Sequence, residues 1–186
     1  MTSLDHRVRP DVTELVAACP AGLAVRSSAG WPEAVADAEV TPLAGFVEST
    51  FSPLAAAVAE RALSRRQPAA GATAVVLITR LGDVTSAVHV AAAVDAGKRV
   101  GPLLFFQSVP NAVAGYLAAR HGLTGPVVCI TDVAEGLAMV ALLLEDGDAD
   151  EALVVWLEVG VTTADPDRAA AVIVGPETHT GQGLPA

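Results

Sequence analysis

Two short apolar runs rich in β-branched residues constrain the fold of this chain more than any other feature. They span residues 72–79, which read ATAVVLIT, and residues 127–131, which read VVCIT. A continuous run of this length and composition is typical of a strand that is covered on both faces. Such strands occur in parallel sheets, whose connections pass over the two faces. The chain is therefore predicted to be an α/β protein.

Helical patterns alternate with these and other strand-like segments along the chain. Apolar residues recur at helical spacing, and prolines, glycines and acidic turns separate the segments. This alternation predicts right-handed crossovers and a layered sheet. Helices are predicted over residues 51–66, 83–96, 110–121 and 133–144, further strands over residues 22–31, 151–159 and 168–174, and a loop or short extended piece over residues 102–108.

Several residues are predicted to mark helix ends. Ser52 is expected to cap the helix over residues 51–66, and Gly122 is placed to end the helix over residues 110–121. A short helix before residue 20 is expected to begin at Asp11 or Thr13, because their side chains can accept hydrogen bonds from its first amides.

The length and composition suit one domain of ordinary size. The chain has 186 residues, of which 52% are apolar and only 4% aromatic. Ala and Val supply much of the apolar fraction, so the layers are expected to pack closely. Residues 21–175 are predicted to form the domain and residues 1–20 an N-terminal extension. Residues 176–186 are rich in Gly, Thr and Pro and are predicted to form a mobile tail.

The charge and the cysteines argue against several classes of function. The formal net charge is −10 and Lys98 is the only lysine, so the basic stripe that nucleic acids require is missing. Cys19 and Cys129 suggest no disulfide framework, and no cluster of His and Cys ligands indicates a metal site. No apolar segment suits a signal peptide or a membrane span. We expect a soluble, cytoplasmic protein without a metal or another cofactor.

The second half of the chain resembles part of a β-ketoacyl synthase. The resemblance rests on SVPNAVAG at residues 108–115, LAARHGLTGP at 117–126, GDADEALVVWLE at 147–158 and DRAAAVIVGPE at 167–177. In this order the segments are similar to the N-terminal half of that family, and most to its short, divergent ketosynthase-like and chain-length-factor-like members. The resemblance covers roughly residues 75–174. It implies half of a thiolase-like fold, a layered βαβαβαββ unit with a mixed sheet and helices.

The resemblance places Val133 where an active β-ketoacyl synthase carries its catalytic cysteine. In active members this cysteine begins a helix, whose dipole lowers the pKa of the thiol. The segment DVAEG at residues 132–136 aligns with that turn, and valine cannot form a thioester. The family's two catalytic histidines belong to its C-terminal half, for which the sequence up to Ala186 offers no counterpart. The chain is therefore expected not to catalyse condensation on its own.

Three polar residues near this turn have a structural and a functional interpretation. Asp132 and Glu135 are expected to cap the following helix and to complement its dipole. Alternatively, they form an acid/base pair for an isomerase or dehydratase-like reaction. Cys129 is expected to pack within its strand, and the alternative is a relocated nucleophile.

The resemblance also points to candidate interface residues. Phe105 and Phe106 fall where related synthases place residues of one subunit beside the acyl pocket of the other, and the alternative is ordinary core packing. Ser108 or Asn111 is expected to supply the hydrogen bonds of a turn and cap for the next helix. Together with Cys129, these residues form the predicted interface or acyl-pocket set.

The histidines are not expected to bind a metal ion. His121 precedes Gly122 at a helix end, where a cation complements the dipole. His89 lies inside a mostly apolar helix and His179 in the predicted tail, and neither has a second ligand at a suitable spacing.

The resemblance implies a non-condensing, chain-length-factor-like subunit that pairs with an active β-ketoacyl synthase in polyketide or fatty-acid-type biosynthesis. Residues 127–131 would then pair across the two-fold axis of the dimer, and residues 103–113 would line or gate the chain tunnel. An acyl carrier protein is a further candidate partner: the acidic chain argues against its docking, but a local basic patch at Lys98 and Arg99 favours it. Two alternatives are a small independent enzyme that acts on acyl thioesters through Asp132 and Glu135, and a homodimeric module that binds an acyl chain or small ligand.

Overall fold

The protein folds as a five-stranded mixed sheet with helices on both faces. A computed structural model describes residues 10–34, 37, 39–67, 71–160 and 166–177. The strands are β1 (Leu23–Trp31), β2 (Thr73–Ile78), β3 (Val127–Ile130), β4 (Glu151–Glu158) and β5 (Arg168–Pro176). The helices are α1 (Val12–Ala17), α2 (Phe51–Arg65), α3 (Val84–Asp95), α4 (Pro102–Gln107), α5 (Pro110–His121) and α6 (Val133–Glu145).

The strand order is β1-β5-β4-β2-β3. Strand β2 runs parallel to both β3 and β4, whereas β5 runs antiparallel to β4 and β1. Long crossovers that contain helices join the parallel strands, as parallel pairing requires. From β1 onward the elements therefore follow the predicted βαβαβαββ pattern, with three helices between β2 and β3, and the predicted fold class is confirmed.

Alternating side chains of the central strands enter two separate cores, because successive residues of a strand point to opposite faces. Val75 and Leu77 belong to the core that α2 and α5 cover, whereas Val76 and Ile78 belong to the core that α1 and α6 cover. All four side chains are fully buried. The sheet is thus the middle layer of three.

Aspartates cap three of the helices. Asp11, Asp83 and Asp132 each accept a hydrogen bond from a backbone amide in the first turn of α1, α3 and α6. The prediction for Ser52 is wrong: Ser52 lies inside α2, buried, and its amide donates to the hydroxyl oxygen of Ser49. Gly122 ends α5 in the left-handed conformation, with φ of 64°, as predicted.

The segment after α3 is helical, which corrects the predicted loop over residues 102–108. Pro102 occupies the start of α4, where its fixed φ favours a helix and its missing amide proton costs nothing. Buried Gln107 anchors the other end of α4, because its side-chain amide donates to the carbonyl of Val47 and accepts from the amide of Val47.

Strand β3 lies at the edge of the sheet, and the exposure of its side chains corrects the prediction that it is covered on both faces. Its side chains are half-buried or exposed, whereas those of β2 are fully buried. Edge position depends on the order in which strands pair across the chain, and an apolar run alone does not determine that order.

The predicted boundaries of the domain remain predictions. Within the predicted extension over residues 1–20, α1 lies against the second core and buries Leu15 completely. Residues 1–9, and residues 178–186 of the predicted tail, lie outside the described residues. None of the helices described here is both long and apolar enough to span a membrane.

Candidate functional site

The turn between β3 and α6 is where the resemblance places the catalytic cysteine of a synthase. Val133 occupies the first position of α6 and is half-buried against the second core. The first turn of the helix, Val133 to Gly136, contains no cysteine, serine or threonine. Within these four residues the lack of a thiol or hydroxyl does not depend on aligning the helix start to a single position, and the interpretation of Val133 stays a prediction.

Close packing fixes the position of this turn. A Cβ atom added at Gly136 would lie 2.6 Å from Cδ1 of Ile78, so α6 approaches β2 more closely than a larger residue would permit. Asp132 accepts hydrogen bonds from the amides of Ala134, at 2.9 Å, and Glu135, at 3.1 Å. The predicted capping role of Asp132 is confirmed, and Asp132 and Glu135 are both exposed.

A shallow groove of about 710 Å³ lies beside Asp132. Its lining comes from the end of α1 and from α6 and includes Ala18, Leu137 and Leu142, but no hydroxyl, imidazole or basic group. Glu135 is not among the lining residues. The acid/base interpretation of Asp132 and Glu135 stays a prediction.

Cys129 lies in the middle of β3 and packs against the first core. Burial raises the pKa of its thiol, whereas a nucleophilic cysteine needs a lowered pKa to supply thiolate. The side chain also lines a large cavity at the carboxyl ends of β2 and β3. The interpretation of Cys129 as a structural thiol stays a prediction, because the side chain both packs against the first core and lines this cavity.

That cavity, of about 880 Å³, lies where the carboxyl ends of β2 and β3 meet helices α3 and α4. In open α/β sheets, ligands bind at the carboxyl ends of the parallel strands. Val90 and Val94 of α3 and Phe105 of α4 supply apolar walls, and Arg80 and Lys98 are its basic residues. Sequence reasoning did not identify this cavity, because it depends on where α3 and α4 lie relative to the ends of β2 and β3.

The two phenylalanines of α4 are on the surface. Phe105 is 71% exposed and Phe106 68% exposed, and their rings meet edge to face at 5.9 Å between centroids. The alternative that these residues belong to the core is therefore wrong. Their predicted role at an interface or acyl pocket remains a prediction, and only Phe105 lines the cavity.

Helix α3 is the second exposed apolar element of this surface. Its twelve residues are mostly alanine and valine, yet it buries Ser86 alone. Val88 and Val94 are each more than half exposed, as are Leu81 and Leu103 beside them. A helix that is mostly apolar is normally covered over much of its surface. The composition of α3 therefore carried a signal that sequence reasoning missed.

Ser108 and Asn111 do not cap α5 as predicted. The residue before α5 is Val109, whose side chain has no hydrogen-bond acceptor, so no side chain caps the first turn of α5. The Ser108 hydroxyl instead donates to the carbonyl of Phe105 and closes the end of α4, while Asn111 is exposed. Their predicted role at an interface or acyl pocket stays a prediction.

The free edge of β3 lies next to this apolar surface. Its backbone pairs with β2 on one side, and in the described part of the chain no strand pairs on the other. An unpaired edge presents backbone amides and carbonyls that can pair with another strand.

The histidines show no metal-binding geometry. His121 and His89 each lie near one carboxylate, at 3.7 Å from Glu60 and 3.5 Å from Glu48. Across the residues that the structure describes, no three His, Cys, Asp or Glu side chains converge on a common point. His179 lies outside these residues.

Comparison with known proteins adds a family and a fold. The sequence matches the family described as "Beta-ketoacyl synthase, N-terminal domain" over residues 23–164. No curated protein matches it.

Several solved structures share the fold. One is a ketosynthase in complex with its chain length factor from Xenorhabdus doucetiae, with 16% identity, a TM-score of 0.65, and coverage of 84% of this chain and 80% of that chain. A second is the ishigamide ketosynthase/chain length factor, with 20% identity, a TM-score of 0.59, and coverage of 83% and 51%. The oxazolomycin ketosynthase domain from Streptomyces albus JA3453 has 16% identity, a TM-score of 0.51, and coverage of 83% and 47%. The chain thus spans about half the length of the last two, and at these identities the similarity shows the fold alone.

Proposed function

This chain belongs to the β-ketoacyl synthase N-terminal domain family, and from that premise we propose that it is a non-condensing, chain-length-factor-like subunit. In this role it pairs with an active β-ketoacyl synthase in polyketide or fatty-acid-type biosynthesis. Two of the solved structures with the same fold are described as a ketosynthase with a chain length factor, which supports the proposed pairing with a synthase.

The observation that carries the proposal is the exposed apolar surface of α3 and α4. We call it the α3–α4 face, and it consists of Leu81, Val88, Val94, Leu103, Phe105 and Phe106, each more than half exposed. Exposed apolar patches of this kind mark interaction sites on soluble proteins. Aromatic side chains are also the anchors that carry much of the binding energy at protein interfaces.

The free edge of β3 supports the same proposal, because Cys129 of β3 lines the same cavity as Val94 and Phe105 of this face. In the proposed pair, residues 127–130 add to the edge of a strand in the synthase, so the two sheets continue across the interface. Phe105 and Phe106 then border the partner's acyl tunnel and limit its length.

The composition of the first turn of α6 supports a non-condensing role. Val133 and the residues after it offer no group that could accept an acyl chain, and the only cysteine nearby, Cys129, is half-buried with a raised pKa. The proposed pair therefore depends on the synthase for its thiolate.

Co-expression with a tagged β-ketoacyl synthase encoded next to this chain tests the proposal. We expect the two chains to co-purify as a complex of defined mass in light scattering. Val88→Glu and Phe106→Glu should each abolish the complex, because a charge is then buried in the interface. The control is Ala119→Glu, an exposed position on α5 outside this face, which should leave the complex intact.

Other results would point to the two alternatives. A stable homodimer of this chain that excludes the synthase would favour a homodimeric binding module. Turnover of acyl thioesters by the chain alone, lost in Asp132→Asn at unchanged stability, would favour an independent enzyme. A monomer that binds no synthase and leaves its product length unchanged would refute the proposal.

A further inference from the structure

One loop connects helices α3 and α4 to the core of the protein. We call residues 46–50 the strap, and they directly precede α2. The side chain of Phe46 packs against the first core and meets the ring of Tyr116 edge to face, at 5.8 Å between centroids. Near the other end of the strap, the hydroxyl oxygen of Ser49 accepts a hydrogen bond from the amide of Ser52 in α2. The strap is therefore held by α2 and α5, which lie on the sheet.

The strap makes polar contacts with the first turn of α3. The hydroxyl of Ser86 lies 3.1 Å from the carbonyl oxygen of Glu48 and 2.8 Å from the carboxylate of Asp83, so the two acceptors share its proton. The hydroxyls of Thr50 and Thr85 lie 2.9 Å apart. Ser86 is fully buried and is the buried residue of α3. The most buried contact of α3 is therefore polar, and it includes the strap.

The strap also holds α4. The side-chain amide of Gln107 donates to the carbonyl of Val47, and its oxygen accepts from the amide of Val47, at 3.3 Å. Gln107 is only 4% exposed, so an unpaired amide at this position would be costly. Two successive residues of the strap thus contact the two helices of the α3–α4 face, Val47 at α4 and Glu48 at α3.

The backbone of the strap adopts an unfavourable conformation where these contacts meet. Glu48 has a φ of 53° and is the one residue other than glycine with a positive φ in the part of the chain that the structure describes. This conformation brings Cβ close to the backbone and persists only where the surroundings determine it. The hydrogen bonds at Val47 and at the carbonyl of Glu48 supply such surroundings.

We propose that the strap sets the position of the α3–α4 face, with Ser86 and Gln107 as the positioning residues that hold the two helices to it. Since α3 buries no other residue, loss of these contacts should let α3 and α4 open locally while the sheet stays folded. The coupling of the strap to the helices is a property of the single chain. Its consequence for binding a synthase rests on the proposed function.

Hydrogen exchange of the purified full-length chain, followed by mass spectrometry, tests the coupling. Ser86→Ala and Gln107→Leu should each raise the exchange rate of amides in residues 84–107 about tenfold, since each removes a buried hydrogen bond. Each substitution should loosen both helices, because both are held by one strap. Exchange in β2 and β4 should not change. Faster exchange throughout the chain would show a loss of global stability alone, and it would overturn the proposal, as would unchanged exchange in α3 and α4.

A hydrogen bond of the same kind elsewhere in the fold provides the matched control. The hydroxyl of Ser27 in β1 donates to the carbonyl of Ala62 in α2, at 2.8 Å. Ser27→Ala therefore removes a comparable bond without touching the strap, and it should leave the exchange of residues 84–107 unchanged. Equal loosening of α3 and α4 by Ser27→Ala and Ser86→Ala would overturn the proposal.

Two substitutions at Glu48 test the strap without changing either helix. Glu48→Gly should keep the slow exchange of α3 and α4, because glycine adopts a positive φ freely and the carbonyl near Ser86 remains. Glu48→Val should raise it about tenfold, because a β-branched residue strongly disfavours this φ. Fast exchange in Glu48→Gly would assign the hold on α3 to the side-chain contact with His89, at 3.5 Å, and would overturn the proposal. If Gln107→Leu does not fold, the Ser86 and Glu48 variants decide the outcome.

Affinity for the synthase is the second measurement. Ser86→Ala and Gln107→Leu leave every exposed side chain of the α3–α4 face unchanged, yet each should weaken the complex about tenfold, because the face must first be ordered to bind. Ser27→Ala and Glu48→Gly should bind as the unsubstituted chain does. Full affinity in a variant with loosened helices would overturn the role of the strap in pairing. If the unsubstituted chain binds no synthase, the proposed function fails, and the exchange experiment still decides whether the strap holds α3 and α4.

Discussion

Helices α2 and α3 have similar compositions and very different surroundings. Both are mostly apolar, with five alanines in α2 and four alanines and four valines in α3. Nine of the fifteen residues of α2 are buried, whereas α3 buries Ser86 alone among twelve. Helix α2 lies flat on the sheet against β1, β4 and β5, and α3 lies beyond the carboxyl end of β2. An apolar helix that its own chain leaves uncovered indicates that something else covers it.

The polar contacts of α2 also differ from those of α3. Arg61 of α2 pairs with Asp37 at 2.6 Å, and Arg65 pairs with Glu33 at 2.7 Å. The guanidinium of Arg61 also lies over the ring of Trp31, 4.5 Å from its centroid. On α3, Nδ1 of His89 lies 3.5 Å from a carboxylate oxygen of Glu48.

A charge placed on each helix should give the largest difference in stability between variants of α2 and α3. Ala59 on α2 is fully buried, so Ala59→Glu puts an unpaired carboxylate into the first core and should cost about 4 kcal/mol or more, enough to prevent folding. The matched change Ala92→Glu on exposed α3 should alter stability by less than about 0.5 kcal/mol. Soluble yield and urea denaturation measure both. Equal loss of stability in the two variants would mean that α3 is covered within the chain.

Removing methyl groups sharpens the same comparison with a smaller change. Val58→Ala on α2 should destabilise the protein by about 2–3 kcal/mol, because it removes buried hydrocarbon and leaves a cavity. Val88→Ala on α3 should have an effect within about 0.5 kcal/mol, since that side chain is 62% exposed. Chemical denaturation of each variant at a constant m-value provides the measurement. A cost above about 1 kcal/mol for Val88→Ala would contradict the exposed position of α3.

The sequence predicted most elements because their apolar patterns are long and regular. Helices α2, α5 and α6 and strand β2 lie within a residue of their predicted bounds. Asp132 was identified as a cap because an acidic residue three positions later completes a recognisable helix start. These features depend on local chemistry, and local chemistry can be read along the chain.

The features that were missed depend on contacts distant in sequence. Helix α4 was predicted as a loop or short extended piece, because its five consecutive apolar residues show no period, and its folding is supported by the contact between Gln107 and Val47. The edge position of β3 depends on β2 pairing with β4 on its other side. An apolar pattern also does not distinguish α2 from α3, because it reports that a surface is covered but not which molecule covers it.

Two glycines extend the comparison of covered and open helix faces. Gly136→Ala should destabilise the protein by about 1–2 kcal/mol, because the new methyl group would lie 2.6 Å from Ile78 between α6 and β2. Gly115→Ala on the open face of α5 should stabilise it by about 0.5–1 kcal/mol, because nothing lies within 4 Å and alanine favours the helix. Thermal and urea denaturation give the two signs. A stabilising effect of Gly136→Ala would mean that α6 can move away from the sheet at little cost.

The smallest expected effect is the pH dependence of the ion pairs on α2. The hydrogen bond from Arg65 lowers the pKa of Glu33 to about 2 from its usual value of 4.5. A carboxylate with a lowered pKa stabilises the fold above its unfolded pKa, and this contribution is lost as the pH falls from about 4.5 towards 2. Because the Glu33 side chain is 31% exposed and screened by solvent, Glu33→Gln should cost only about 1 kcal/mol at pH 7.

That difference between Glu33→Gln and the unsubstituted protein should shrink steadily when denaturation is repeated at pH 5, 4 and 3. Glu48→Gln beside α3 serves as the matched control, and its effect should stay within about 0.5 kcal/mol because that carboxylate is 57% exposed. If both variants behaved alike, the ion pairs of α2 would contribute no more than those of α3. Burial alone would then account for the contrast between the two helices.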